Sequence, residues 1–170
     1  MYIFDGAAPA RDGSFDADVV LHELAHGLTM RLVGAGLALF NDQSAGLGEG
    51  WSDFYALALT APPEADLDGV YPAGGYVSYG YRGLLESFYF GIRRYPYSTN
   101  LAANPLTFRD IDPTQANPHA GVPLNPLDAP FRASQAPEVH AQGEVWCAML
   151  WDMRANLVAR HGFFTGNTLA

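Results

Sequence analysis

The chain has 170 residues, enough for one domain with its own core and too few for two comfortable ones. Apolar residues make up 49% and charged residues 16%, a globular balance, and no run of about 18 apolar residues exists that would cross a membrane as a helix. The net charge is −9 and all nine basic residues are scattered arginines, which excludes the clustered cations that nucleic acid requires.

The single cysteine, Cys147, rules out an internal disulfide and a cysteine-based zinc site. Its neighbours Val145, Trp146, Ala148 and Met149 point to an inert thiol on a buried helix face. Met1 to Asp5 lack the basic start, apolar core and cleavage site of a secretory signal. Any export address of the natural protein is therefore expected outside these residues.

Residues 1 to 13 read as an extended segment ending in a turn at Arg11-Asp12-Gly13. Asp16 is placed to cap a helix running to about Val33, with Val19, Val20, Leu24, Leu28 and Leu32 as its apolar positions and Gly34 and Gly36 as its stop. Gly46-Leu47-Gly48 leads into a second predicted helix, from about Glu49 to Thr60, ended by Pro62-Pro63. Residues 61 to 80 read as irregular, and a third helix is predicted from about Tyr81 to Phe90. From Gly91 to Pro137 the chain holds eight of its twelve prolines. Tyr95, Tyr97, Leu101, Leu106, Phe108, Ile111 and Phe131 make that stretch too apolar for a free linker, so an ordered wrap is expected. A last helix is predicted from near Glu138 to about Arg160, stopped by Gly162, and residues 166 to 170 read as the opening of another.

The chemistry concentrates in His22-Glu23-Leu24-Ala25-His26. Imidazoles at i and i+4 share one helix face, roughly 5–6 Å apart at Cβ, so both can reach one zinc ion. Glu23, beside the first ligand, can act as general base on a water held by that ion. The bland alternative is a helix with two surface histidines. A third ligand is needed, and Glu49, 23 residues beyond His26, supplies a carboxylate with Asp53 one turn further on. This makes Glu49 the ligand and Asp53 the acceptor for the far ring N–H of a ligand histidine, His22 by preference. The competing view is that both acids only favour the positive end of their own helix. His140, in the first turn of the last helix, is a candidate for stabilising an oxyanion, with Glu138 or a nearby aspartate to hold the ring. A second metal on His140 and Glu144 is a weaker alternative, since Gly143 and Trp146 look like packing residues. His119 and His161 read as surface residues, and Asp66-Leu67-Asp68-Gly69 lacks the later ligands of a full calcium loop.

Four blocks then carry a family resemblance. Phe15 to His22-Glu23 and on to Arg31-Leu32, Gly46-Leu47-Gly48-Glu49-Gly50-Trp51-Ser52-Asp53-Phe54, Gly91-Ile92-Arg93-Arg94-Tyr95-Pro96-Tyr97-Ser98-Thr99, and Glu138-Val139-His140 with Gly143-Glu144-Val145-Trp146 and Met149-Leu150-Trp151-Asp152 resemble, in this order, the fungalysin metallopeptidases, which are thermolysin-like zincins (gluzincins). The resemblance implies one zinc per chain on His22, His26 and Glu49, Glu23 as general base and His140 as the transition-state histidine. It also implies an arginine on the substrate carbonyl beside the scissile bond, matched by Arg93 with Arg94 as its rival. The implied fold is mainly α: the catalytic half of a zincin, with an active-site helix, a ligand-glutamate helix and a long C-terminal helix joined by long ordered loops.

The same resemblance implies a zinc endopeptidase acting on extended polypeptide, extracellular and made as a zymogen with a propeptide inhibitor. It also marks departures. Thermolysin itself offers a tyrosine hydroxyl upstream of the ligand glutamate, where the counterpart here is Phe40. The family's N-terminal β-rich half, whose edge strand pairs with substrate, and its final helices are absent, so residues 1–170 read as a single partial catalytic domain. The competing functions are a zinc-binding but catalytically silent fragment, and another zinc hydrolase such as an aminopeptidase.

Overall fold

The structure, a computed structural model, describes residues 3–4, 9–36, 38–112, 119–127 and 138–163. Phe131 and residues 166–170 lie outside them. A short ribbon, β1 (Ile3–Phe4) antiparallel to β2 (Arg11–Asp12), leads through a 3-10 turn at Gly13–Phe15 into helix α1, Ala17–Leu32. Asp16 caps α1: its carboxylate accepts the N–H of Asp18 at 3.0 Å and, from across the molecule, that of Val77 at 2.9 Å. A cap of this kind stabilises a helix by about 1 kcal/mol, and here the same side chain also fixes the helix to a loop that borders the site.

Helix α2 covers Asp42–Thr60 and begins seven residues before the predicted Glu49. Asn41 caps it by accepting the N–H of Ser44 at 2.9 Å. The expectation failed because Gly46, Gly48 and Gly50 read as helix breakers, each costing about 1 kcal/mol against alanine in a helix interior. Two of them are required by a close crossing with the last helix, α5 (Val139–His161). A Cβ on Gly50 would lie 2.5 Å from the carbonyl oxygen of Gly143, and one on Gly46 would lie 2.7 Å from Cβ of Gln142. From the other side, a Cβ on Gly143 would lie 2.6 Å from Cβ of Glu49. Packing at that distance offsets the propensity cost and presses the Glu49 turn of α2 against α5.

The predicted third helix is broken. The stretch forms α3 (Gly75–Ser78), a 3-10 turn at Tyr81–Gly83 and α4 (Ser87–Phe90). Arg82 and Gly83 both take positive φ, 48° and 85°, which no α-helix accommodates. By contrast α5 runs nearly as predicted, capped by Glu138, whose carboxylate accepts the N–H of Ala141 at 2.9 Å, and closed at Gly162.

The proline-rich stretch is an ordered wrap over its described residues. Buried asparagines take the place of regular pairing: Asn104 donates to the carbonyl of Pro96 at 2.9 Å, and Asn125 donates to those of Gly91 at 3.0 Å and Arg93 at 2.8 Å. Tyr97 pairs through both backbone groups with Tyr71, at 2.9 and 2.8 Å. Tyr95, Tyr97 and Leu106 are buried, whereas Leu101 and Phe108 are exposed. In the loop at Asp66-Leu67-Asp68-Gly69 the acids hold the turn, with Asp66 accepting from Asp68 N–H and Asp68 from the Thr99 hydroxyl at 2.6 Å.

The core lies between α2, α5 and the wrap, around Leu57, Ala73, Tyr97, Cys147, Ala148 and Trp151. Cys147 is buried, and burial pushes its thiol well above the usual cysteine range. Trp51 and Trp146 are only half-buried and meet edge-on at 6.2 Å. Helix α1 departs from expectation: only Ala25 on it is fully buried, and four of its five predicted apolar positions, Val20, Leu24, Leu28 and Leu32, face solvent. It rests on α2 through its other face. The described residues are mainly helical, and no helix among them is long and apolar enough to cross a membrane.

Candidate metal and catalytic centre

Helix geometry brings His22 and His26 onto the face of α1 that meets α2, their ring centroids 4.6 Å apart. Glu49 approaches from α2. His22 Nε2 lies 3.0 Å from His26 Nε2 and 3.2 Å from Glu49 Oε2, and His26 Nε2 lies 3.3 Å from Glu49 Oε1. The structure thus brings the three sequence-predicted ligands together, all partly buried, with donor atoms within 4.8 Å of one another. For bonds of about 2.0 Å the edge of a tetrahedron is about 3.3 Å, so the observed spacings suit donors that share one ion.

Electrostatics makes the same case from a different side. The ring of His22 is held at Nδ1 by Asp53 Oδ1 at 2.7 Å. Asp53 is fully buried, and burial alone would raise its pKa. The charge of Arg93 and the hydrogen bonds of His22 and Arg93 outweigh that, holding the carboxyl far below the usual carboxylate range. With Asp53 ionised, His22 donates from Nδ1, and a neutral ring then turns a bare lone pair at Nε2 toward a second imidazole and a carboxylate. Glu49 Oε2 is itself buried with no hydrogen-bond partner among the described residues. Converging lone pairs in a half-buried site repel unless a cation lies among them. Without a metal a proton serves: burial disfavours the imidazolium, but Asp53 and Glu49 together lift His22 to about 9. The donor set therefore fits a divalent metal, which would displace that proton on binding.

The remaining predicted residues surround this point. Glu23 is exposed on α1 and lines a cleft of about 180 Å³ together with Val19, Ile92, Arg93 and His140. His140, on the first turn of α5, places Nε2 3.4 Å from Glu49 Oε2, and its Nδ1 is hydrogen-bonded to the Glu138 carboxylate. Burial works against the Glu138 charge, but its hydrogen bond to His140 and the charge there outweigh burial and lower it to about 2. Arg93 is buried and pairs side-on with Asp53, Nε to Oδ2 and Nη2 to Oδ1, both at 2.7 Å. Its position depends on Gly91, whose φ of 64° and contact with the Ala73 carbonyl leave no room for a Cβ.

Other candidates are engaged elsewhere. Arg94 anchors the wrap to α5, giving Nε and its backbone N–H to the fully buried Glu144, at 2.7 and 3.0 Å. That leaves Glu144 no role in a second metal site with His140. His119 pairs with Asp110 at 2.6 Å, and His161 is exposed at the end of α5. Phe40 is exposed ahead of α2. One residue was expected only to pack the wrap: Tyr97, whose hydroxyl donates to Asp53 Oδ2 at 2.5 Å. Its only signal for the site was membership of the Gly91–Thr99 block, because a contact 44 positions away in sequence has no local pattern.

A pair of histidines one turn apart and a glutamate from the next helix, beside a free-standing carboxylate, define the class of HExxH metallohydrolases. The chain belongs to the fungalysin metallopeptidase (M36) family, whose model matches residues 1–169. It is 36% identical to extracellular metalloproteinase 4 of Arthroderma otae over 172 residues, covering 99% of this chain and 22% of that protein. It is 38% identical to extracellular metalloproteinase 5 of Arthroderma gypseum and to extracellular metalloproteinase mep of Aspergillus fumigatus, in each case covering 95% of this chain and 21% of the relative. The chain thus spans about a fifth of the length of the curated relatives it matches. The family implies a metal, and the His22–His26–Glu49 cluster is where the described residues offer one a place.

Proposed function

We propose that the chain carries the catalytic half of a zinc-dependent endopeptidase, as a partial catalytic domain of a longer protein, with one zinc held by His22, His26 and Glu49. The observation that carries this reading is the convergence of three lone-pair donors from two helices beside Glu23 and His140. Two imidazole nitrogens and one carboxylate, with a position left for water, are the ligand pattern of catalytic zinc. Bound zinc would supply Lewis-acid polarisation of the scissile carbonyl and ease ionisation of water.

The protein's own groups do the rest. Glu23 takes a proton from the attacking water and returns it to the leaving amine. His140, its Nδ1 tethered by Glu138, turns an Nε2–H toward the oxygen that gains charge. The guanidinium edge of Arg93 not occupied by Asp53 is assigned to the substrate carbonyl beside the scissile bond. The substrate is extended polypeptide, in keeping with relatives named as metalloproteinases, and their description as extracellular supports secretion of the full-length protein with a propeptide inhibitor. The net charge of −9 favours neither nucleic acid nor an anionic membrane as partner.

One observation favours a second reading, that this segment binds zinc without cleaving: among the described residues no strand lines the cleft to hold a substrate. Metal content and casein cleavage, measured with and without chelator, separate the two. One zinc per chain with chelator-sensitive cleavage supports the peptidase. One zinc without cleavage supports the silent segment, and a chain that takes up no zinc sinks both.

A further inference from the structure

We propose that Tyr97 is a positioning residue for the metal centre, its hydroxyl locking Asp53 so that the ring of His22 keeps Nε2 aimed at the ion. This rests on the metal-hydrolase reading above and adds a residue to it. Asp53 accepts four hydrogen bonds, two on each oxygen. Oδ1 takes His22 Nδ1 and Arg93 Nη2, both at 2.7 Å, while Oδ2 takes Arg93 Nε at 2.7 Å and the Tyr97 hydroxyl at 2.5 Å. An ionised carboxylate offers about four lone-pair sites, so all are filled and the group has no alternative orientation. Without the hydroxyl, Oδ2 keeps only the Arg93 bond in a dry site, and the carboxylate can tilt about its remaining partners, carrying the His22 ring with it.

The position of that hydroxyl is set independently of the site. Tyr97 is fully buried, its ring lies in the core with Leu57, Cys147 and Trp151, and its backbone is bridged to Tyr71 in both directions. Burial and the neighbouring Asp53 hold the phenol well above its usual range, so it stays a donor. The core thus acts as a fixed post against which the acid is braced. Groups behind a ligand histidine typically contribute about 10- to 100-fold to metal affinity.

The test uses the metal-free full chain and cobalt(II) as the probe, with affinity read by competition against a chelator and the visible bands as a signature of ligand geometry. Tyr97→Phe is expected to weaken cobalt binding about 10-fold and shift the bands. Leu106→Ala, in the second core cluster with Tyr95 and Val145 and apart from the partners of Asp53, should lower the unfolding midpoint and leave cobalt affinity unchanged. Equal or tighter binding by Tyr97→Phe overturns the proposal, as does an equal loss in Leu106→Ala. If Tyr97→Phe does not fold, the parent protein decides: by proton NMR its Tyr97 hydroxyl should resonate downfield and shift on metal addition, and a resonance that stays put overturns the proposal. A parent chain that binds no metal sinks the metal-hydrolase reading as well, and is thereby told apart from failure of the Tyr97 assignment alone.

Discussion

The two faces of α1 differ in almost every physical respect. The face toward α2 carries His22, Ala25 and His26, and behind it stand Asp53, Arg93 and Tyr97 in a buried network in which Asp53 accepts four hydrogen bonds. The opposite face carries Val20, Leu24, Leu28 and Leu32, between 42% and 73% exposed. A buried polar network is stabilising only when complete, and one missing partner costs more than the bond it made. An exposed apolar side chain costs little where it stands. The lesson is that this chain concentrates its structural constraint on one side of the ligand helix, and substitutions should have effects graded by side.

The largest effects fall where chemistry meets the constrained face. Glu23→Gln keeps the shape and removes the proposed base, so turnover of the active protein should fall by about 10²- to 10⁴-fold with metal content unchanged. His26→Ala removes a proposed ligand and should lose the metal itself. Elemental analysis beside a peptide-cleavage assay distinguishes them, and His26→Ala that retains metal at parent affinity would count against the ligand set. Next comes the helix crossing. Gly143→Ala drives a Cβ to 2.6 Å from Cβ of Glu49, 2.9 Å from Gly50 N and 3.0 Å from the Gly46 carbonyl, two of them backbone atoms with little room to yield. Overpacking of this kind costs about 1–3 kcal/mol, and displacement of Glu49 should weaken metal binding in parallel. Denaturant unfolding at unchanged slope with unchanged midpoint would show that the crossing has room for a methyl group and does not fix Glu49.

What was legible in the sequence follows the range of the interactions. The HExxH turn, the cap at Asp16 and the course of α5 depend on residues within a few positions of one another, and so could be read along the chain. Ranges longer than a helical turn were read only in part. The start of α2 was misplaced because the glycines that look like a linker serve a crossing with α5, some ninety positions later, which only the fold reveals. The break at Arg82 and Gly83 was missed for the opposite reason: a local run of apolar residues resembled a helix while the backbone turned left-handed. The pairing of Asp53 with His22 was reachable by asking what a ligand histidine needs at its far nitrogen. That Arg93 and Tyr97 close on the same acid was not, since neither spacing nor composition links residues 40 and 44 positions apart.

A smaller effect, and one with a pH signature, is expected at the border between the two regions, where Glu138 is partly exposed and tethers His140. Its folded pKa, lowered to about 2 against an ordinary 4.5, means that the folded state binds the proton less readily than the unfolded one. The stability it contributes is fully present above about pH 4.5 and is lost as pH falls toward 2. Glu138→Gln should therefore be less stable than the parent at pH 6, with the gap narrowing as the pH is lowered below 4.5. A gap that stays constant from pH 6 to pH 3 would mean that the carboxylate's charge is not what matters, and that the loss comes from the cap alone.

The smallest effect is the one that tests the comparison most directly. Leu24 lies between the ligand histidines in sequence yet is 66% exposed, whereas its neighbour Ala25 is 4% exposed against α2. Leu24→Gln removes apolar surface that already faces water and keeps a good helix former, so the unfolding free energy should change by no more than about 0.5 kcal/mol. Ala25→Leu, one position along, must place three additional carbons between α1 and α2 and should cost about 1–3 kcal/mol. Matched unfolding curves of the two variants measure the asymmetry of one helix without any reference to catalysis. If Leu24→Gln proved as costly as Ala25→Leu, the outer row would have to be packed against something in solution, and the side-to-side gradient from which the other effects are ranked would lose its basis.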